Sequence, residues 1–195
     1  MVNSPIIIQK AKEYDVEQIV NSILLAFSAD PVLRWMYPSP QQYLKNFPNF
    51  VRAFGGKAFD AETAYYTDGY SGAALWLPPQ SKPDNNAIGV FFEQTISQHQ
   101  QEEVFALFEK MVSYHPDEPH WYLAIFGVEP NQQKKGYGSA LMKHTLAIGD
   151  RDKKIAYLES SSLKSVRFYE KHGFEVIGKV QVGESPTIFP MVRDR

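Results

Sequence analysis

The chain has 195 residues, 44% of them hydrophobic and 22% charged, and its 20 basic side chains nearly balance 22 acidic ones, for a formal charge of −2. The hydrophobic share excludes general disorder, and the charge balance argues against a nucleic-acid binder, which normally carries a basic excess. There is no cysteine, so disulfides, thiolate metal sites and a cysteine nucleophile are excluded.

A chain of this length suggests one domain over residues 1–195. Met1-Val2-Asn3-Ser4-Pro5 has no basic n-region, so no signal peptide is expected. No stretch approaches the roughly 20 apolar residues that span a bilayer. A soluble, cytoplasmic protein with no membrane partner is the expectation, and the missing cysteines fit a reducing compartment.

In chain order, Ile6-Ile7-Ile8 reads as a short strand. Asp15 caps a helix whose apolar positions Val16, Ile19, Val20, Ile23, Leu24 and Phe27 share one face, and Asp30-Pro31 ends it. A second helical stretch over residues 41–59 is expected to break near Pro48 and Gly55-Gly56. Residues 63–67 and 72–77, joined by Asp68-Gly69, read as a hairpin stopped by Pro78-Pro79. The polar stretch 80–86 is a loop, and residues 88–96 and 104–111 carry helical periods.

The last third alternates strand and helix. Residues 120–128 form a buried-type strand, 137–149 a helix, 155–159 a strand and 163–171 a helix capped by Gly173, with closing strands at 174–180 and 188–192. A strand–helix–strand unit with a short connection implies a parallel pair. The fold class is therefore mixed α/β.

Chemistry concentrates in the segment from Val128 to Ser139. Gly136 and Gly138 lie between a buried strand and an amphipathic helix, which places unpaired amides at a helix N-terminus and favours an anion. The same glycines would also serve a plain connecting turn. The spacing matches neither a P-loop nor a dinucleotide fingerprint. The five histidines (99, 115, 120, 144 and 172) show no metal-ligand spacing, so no metal is expected. Gly69-Tyr70-Ser71-Gly72 is not a nucleophile elbow.

Gln133-x-x-Gly136-x-Gly138, preceded by Val128-x-Pro130, resembles the acyl-CoA pyrophosphate motif of the GNAT N-acetyltransferase superfamily. Phe168-Tyr169-Glu170-Lys171-His172-Gly173-Phe174 resembles its second motif. The resemblance narrows to the puromycin N-acetyltransferase-like branch through His120-Trp121-Tyr122-Leu123, Leu158-Glu159-Ser160-Ser161, Ala74-Leu75-Trp76-Leu77-Pro78-Pro79 and the tail Ser185-Pro186 to Met191. It is dense from residue 120 to 195 and thin before 70. It implies a GNAT fold with a sheet splayed between two parallel strands and helices on both faces. Residues 120–195 would be the motif-bearing core and 1–119 the acceptor-side half.

The resemblance also implies acetyl-CoA as co-substrate and a small-molecule primary amine as acceptor. Phe126, Gly127 and Val128 would pair with the pantetheine arm, and Gln133, Lys134, Lys135, Gly136, Tyr137, Gly138 and Ser139 would cradle the pyrophosphate. Gly127 would mark a bulge or a close ligand approach. Tyr169 stands where the family places its general acid. For the base, Glu159, His120 and an ordered water remain alternatives. Ser162 and Ser165 replace the family's usual Asn and Ala, which weakens the case for a pantetheine contact from Ser162. Trp35, Tyr37, Phe47, Phe50, Phe54, Tyr65 and Tyr66 belong to the acceptor-side half, as core or as acceptor wall. Peptide N-terminal or lysine acetylation and a non-catalytic acyl-CoA-binding module are the competing functions.

Overall fold

A computed structural model describes residues 5–194. Seven strands form one mixed sheet: β1 (Ile8–Lys10), β2 (Ala64–Thr67), β3 (Gly72–Leu77), β4 (Trp121–Val128), β5 (Ala156–Ser160), β6 (Glu175–Val176) and β7 (Phe189–Arg193), in the order β1-β2-β3-β4-β5-β7-β6. Neighbours are antiparallel except β4 and β5, which are parallel. This is the expected mixed α/β sheet with its single parallel pair. Eight α-helices surround it: α1 (Val16–Ala26), α2 (Pro31–Met36), α3 (Pro40–Gly55), α4 (Lys57–Asp60), α5 (Asn85–Thr95), α6 (Gln98–Val112), α7 (Tyr137–Asp152) and α8 (Leu163–Glu170). No helix among the described residues is long and apolar enough to cross a membrane.

The strands alternate between two cores. On one face α7 and α8 pack Leu141, Met142, Leu146 and Val166 onto Ala74, Trp76, Leu123, Leu158 and Met191. On the other, α1, α3, α5 and α6 pack Ile19, Ile23, Phe47, Phe92 and Leu107 onto Leu75, Tyr122, Ile125 and Tyr157. The second core is aromatic. Tyr43, Phe47, Phe50 and Phe54 recur at helical spacing on α3 with ring centroids 4.9, 5.8 and 5.3 Å apart, and Phe108 of α6 meets Phe54 edge-on at 6.0 Å.

The parallel pair does not stay together. β4 and β5 are in register only at Trp121↔Ala156 and Tyr122↔Tyr157. Beyond that point β4 is held by β3 alone and β5 by β7 alone. The cause is visible in β4: Leu123 pairs with Trp76 and Ile125 with Leu75, so Ala124 is an extra residue. A bulge bends its strand and raises its twist. It also resets the pleat, since Tyr122, Ala124 and Ile125 all face the aromatic core. The bulge lies at Ala124 and not at Gly127, one of the two readings that glycine allowed; a Cβ on Gly127 would stand 2.7 Å from the Ala26 Cβ, so that glycine admits the end of α1.

Several boundaries differ from expectation for local reasons. The first strand begins two residues later, at Ile8. Asp15 acts one turn earlier than expected, accepting from the Lys12 amide at 2.9 Å and from the Tyr70 and Tyr66 hydroxyls at 2.6 and 3.2 Å. Helix α3 runs through Pro48 without a break, started by a capping box between Ser39 and Gln42. Residues 174–180 supply two strand residues and one bridge, Val180↔Ile188.

Candidate active site

Where β4 and β5 part, a cleft of about 940 Å³ opens between the two halves of the sheet. Its walls are the far half of β4, the glycine turn, the end of β5, α8 and the segment that joins α1 to α2. Of the residues singled out in sequence, Phe126, Gly127, Val128, Gln133, Lys134, Gly136, Gly138, Ser139, Glu159 and Tyr169 line it, and Lys135 and Tyr137 do not.

The free edge of β4 follows from strand alternation. Glu129 N–H donates to the Ser71 carbonyl at 2.9 Å, which makes Gly127 the next residue bonded to β3 and turns the amides and carbonyls of Phe126 and Val128 toward the split. Gly127 thus contributes no edge group of its own. The Val128 carbonyl accepts from the Gln133 side-chain amide at 3.2 Å, and Lys164 Nζ donates to the Gln133 Oε1 at 3.1 Å. Gln133 therefore ties the strand end to the turn and to α8.

Gly136 has φ +95° and is the N-cap of α7, a conformation that a side chain resists. The first intrahelical bond is from Ala140 N–H to the Gly136 carbonyl, so the preceding amides, of Tyr137, Gly138 and Ser139, have no partner inside the helix. A Cβ on Gly138 would meet Phe168 and Val128 at 3.5 Å, an ordinary contact. Packing alone does not demand glycine there. Lys134 adopts φ +62° beside the turn, while the Lys135 ammonium donates to Gln132 Oε1 at 3.1 Å, outside the cleft. Amides, the helix dipole and two lysines, Lys134 and Lys164, make this end fit the pyrophosphate of an acyl-CoA. Ser162 is used otherwise: its hydroxyl caps α8, accepting from the Ser165 amide at 3.2 Å.

At the other end the walls are aromatic and acidic. Phe27, Phe47, Phe50, Phe54, Phe108 and Met111 face the cavity, together with the carboxylates of Asp30 and Glu159. Asp30 caps α2, its Oδ1 accepting from the Val32 and Leu33 amides at 3.0 Å each, and its Oδ2 accepts from the Ser161 hydroxyl. Burial pushes its carboxyl above the ordinary range, opposed by those three bonds. Tyr169 is packed by Phe126, Phe168 and Phe174. Burial, and then the Asp30 charge, push its phenol far above the ordinary value, so it holds its proton at neutral pH. Trp35, Tyr37, Tyr65 and Tyr66 lie away from the cavity, with Tyr37 wholly buried.

Asp30, Ser161 and Lys164 line the cleft but were not legible as site residues. Asp30-Pro31 did carry a signal: an Asp followed by Pro is an N-cap with Pro at the first helical position, the opening of α2 as much as the stop of α1. Among the described residues no group of three or more His, Asp or Glu is placed to hold a metal ion.

Comparison with known proteins follows the same lines. Residues 60–174 match the model of the acetyltransferase (GNAT) family. The fold is similar to a histone acetyltransferase HPA2 and related acetyltransferase from Corynebacterium glutamicum (21% identity, 98% of this chain and 97% of that one, TM-score 0.70). It is similar also to the mosquito arylalkylamine N-acetyltransferase like 5b (14%, 98% and 100%, 0.66) and to the polyamine N-acetyltransferase of Drosophila melanogaster (12%, 98% and 100%, 0.58).

Proposed function

Since the chain belongs to the acetyltransferase (GNAT) family, we propose that it transfers acetyl from acetyl-CoA to the primary amine of a small molecule by direct attack. The observation that carries this reading is the cleft itself, which has amides and lysines at one end and two carboxylates among phenyl rings at the other. An anionic cofactor arm and an amine on an apolar body are complementary to those two ends. The structural neighbours named for arylalkylamine and polyamine acetylation support a small amine. The finer placement in the puromycin N-acetyltransferase-like branch rests on the sequence motifs alone.

The glycine-turn amides, with Lys134 and Lys164, would hold the pyrophosphate, and the edge at Phe126 and the Val128 amide would hold the pantetheine amides as an added strand, the Val128 carbonyl already accepting from Gln133. Acetyl-CoA supplies the activated thioester. The amine nitrogen attacks the thioester carbon, and the carbon–sulfur bond breaks as the tetrahedral intermediate collapses. Glu159 takes the proton that the nitrogen loses, and Tyr169 gives the departing thiolate its proton. Asp30 offers a second carboxylate to the acceptor's cationic end. With no cysteine in the chain, an acetyl-cysteine relay is impossible, which favours direct transfer.

The test is an amine panel assayed for thiol release from acetyl-CoA, with aryl- and alkylamines, polyamines, puromycin and short peptides. Turnover of small amines is the expected result. Turnover confined to peptides would replace the acceptor class, and tight CoA binding without thiol release from any amine would reduce the protein to an acyl-CoA-binding module.

A further inference from the structure

Glu159 and His120, two alternatives for the base in sequence, are joined in the structure by a residue that the sequence did not single out. His115 Nε2 lies 3.2 Å from Glu159 Oε1, and His115 Nδ1 lies 3.1 Å from His120 Nε2. His120 Nδ1 is 2.8 Å from the Glu118 carbonyl. Glu159, at the cleft wall, is buried, with its side chain 6% exposed; His115 is 23% exposed and His120 partly so. The row therefore leads from the reaction cavity outward.

Local structure holds it in place. Helix α6 ends at Val112, and the turn bonds Tyr114 N–H to Met111 O and His115 N–H to Val112 O swing His115 under the sheet. Its ring is fixed between Tyr157, at 4.3 Å between centroids, and Tyr122, edge-on at 4.7 Å. Glu159 and Tyr157 lie two apart on β5, hence on the same face. His120 is the last residue before β4, with its ring 5.7 Å from that of Tyr157.

Donor and acceptor roles follow from the outer end. The Glu118 carbonyl only accepts, so His120 Nδ1 carries a proton. When His120 is neutral its Nε2 accepts, and His115 Nδ1 must donate to it. A neutral His115 then presents a lone pair at Nε2 to Glu159 Oε1, two acceptors face to face. That contact becomes a hydrogen bond only when one more proton is shared between them. Glu159 Oε1 is buried without a well-formed hydrogen bond among the described residues, although the Tyr122 and Tyr157 hydroxyls also face this carboxylate. Burial also holds His120 below the ordinary imidazole range, against the Glu118 carbonyl and the Glu159 charge, so it is neutral at pH 7.

We propose that Glu159, His115 and His120 form a proton exit, in which His115 is the positioning residue that carries the acceptor amine's proton away from Glu159 to the surface. The inference rests on the acetyl-transfer reading. The proton leaves the attacking nitrogen for Glu159 Oε1 and passes to His115 Nε2. The Nδ1 proton of His115 then moves to His120 Nε2, and His120, with a proton on each nitrogen, releases one to water. One proton enters and one leaves with no change in the heavy atoms; both rings finish as Nε2–H tautomers, and proton exchange with water restores the starting pair before the next turnover.

The experiment uses the full chain and the best amine found in the panel. In His115→Gln, kcat should fall at least about tenfold with the KM for acetyl-CoA unchanged, and added imidazole should restore a good part of it. A side chain with a merely structural role would not be rescued by a diffusible base. Unchanged kcat, or a loss that imidazole leaves untouched, overturns the proposal. A second readout needs no turnover: in ¹⁵N-labelled protein the His115–His120 bond should give a nitrogen–nitrogen scalar coupling, lost in His120→Gln. If no amine releases thiol, the acetyl-transfer reading fails by itself and the exit fails with it. If transfer occurs but that coupling is absent, the exit alone is overturned.

Discussion

On the α7–α8 face of the sheet the cleft is lined by backbone: two glycines, the first amides of a helix and the free edge of a bulged strand. On the α1–α6 face it is lined by side chains, phenyl rings with carboxylates among them. The first kind of surface would recognise groups that every acyl-CoA shares. The second can change with every acceptor. Holding an anion on backbone amides constrains φ and close approach, so it leaves glycines at fixed spacing. Holding an acceptor on side chains constrains only volume and charge, which many sequences supply.

The sharpest test of that division is at Tyr169, which stands on the backbone-lined side and, as the proposed general acid, would act on the acceptor side. Tyr169→Phe should lower kcat by about 10²–10⁴-fold with little change in the KM for acetyl-CoA, as expected on loss of a general acid. A fall in CoA affinity instead would make the phenol part of the cofactor site. Steady-state kinetics with both substrates varied separates the two outcomes.

The same division explains what the sequence could show. The β4–turn–α7 unit, the parallel pair and the helix carrying Tyr169 were legible because glycine positions and hydrophobic periods dictate them. The short α2 was not, since Asp30-Pro31 both ends one helix and opens another. Gly127 in an apolar strand reads as a bulge or a close ligand approach, whereas the extra residue is Ala124 and Gly127 makes room for α1. The link through His115 could not be read at all. It depends on a turn after α6 meeting a strand 44 positions later, a distance in sequence that no local pattern spans.

On the aromatic side, Phe50 touches the rings of Phe47, Phe54, Phe92 and Phe108 and is 6% exposed. Phe50→Ala should cost about 3–5 kcal/mol, the range for a buried phenyl deletion, read as a shift in the urea midpoint. A loss under 1 kcal/mol would mean that the ladder is a ligand surface and not also the core that supports it.

Asp15 anchors the same side from below. Burial pushes its carboxyl up, yet the bonds from Tyr70, the Lys12 amide and Tyr66 outweigh that and hold it below the ordinary range. A depressed folded-state value contributes stability above the unfolded value of about 3.9, lost as pH falls through the folded one. Asp15→Asn should therefore destabilise by about 1–3 kcal/mol at pH 7, and the gap to the parent protein should narrow in melts near pH 3. A gap independent of pH would assign the effect to packing.

The smallest expected change in stability is the most informative about the two sides, because one substitution can be made on each. A methyl group on Gly127 would stand 2.7 Å from the Ala26 Cβ and 3.1 Å from the Phe27 ring, so α1 must shift and Gly127→Ala should cost about 1–3 kcal/mol. A methyl group on Gly138 finds only ordinary contacts at 3.5 Å, in the first turn of a helix that alanine favours over glycine by roughly 1 kcal/mol. Gly138→Ala should leave the melting temperature unchanged or slightly raised while it increases the KM for acetyl-CoA, since the added carbon takes up space at the mouth of the turn. If Gly138→Ala were instead destabilising with normal CoA binding, the glycine would belong to the fold and the turn would lose its claim on the pyrophosphate. On the proposed reading, glycine on the aromatic side serves packing and glycine at the turn serves binding, and calorimetry with CoA titration on the two variants tells them apart.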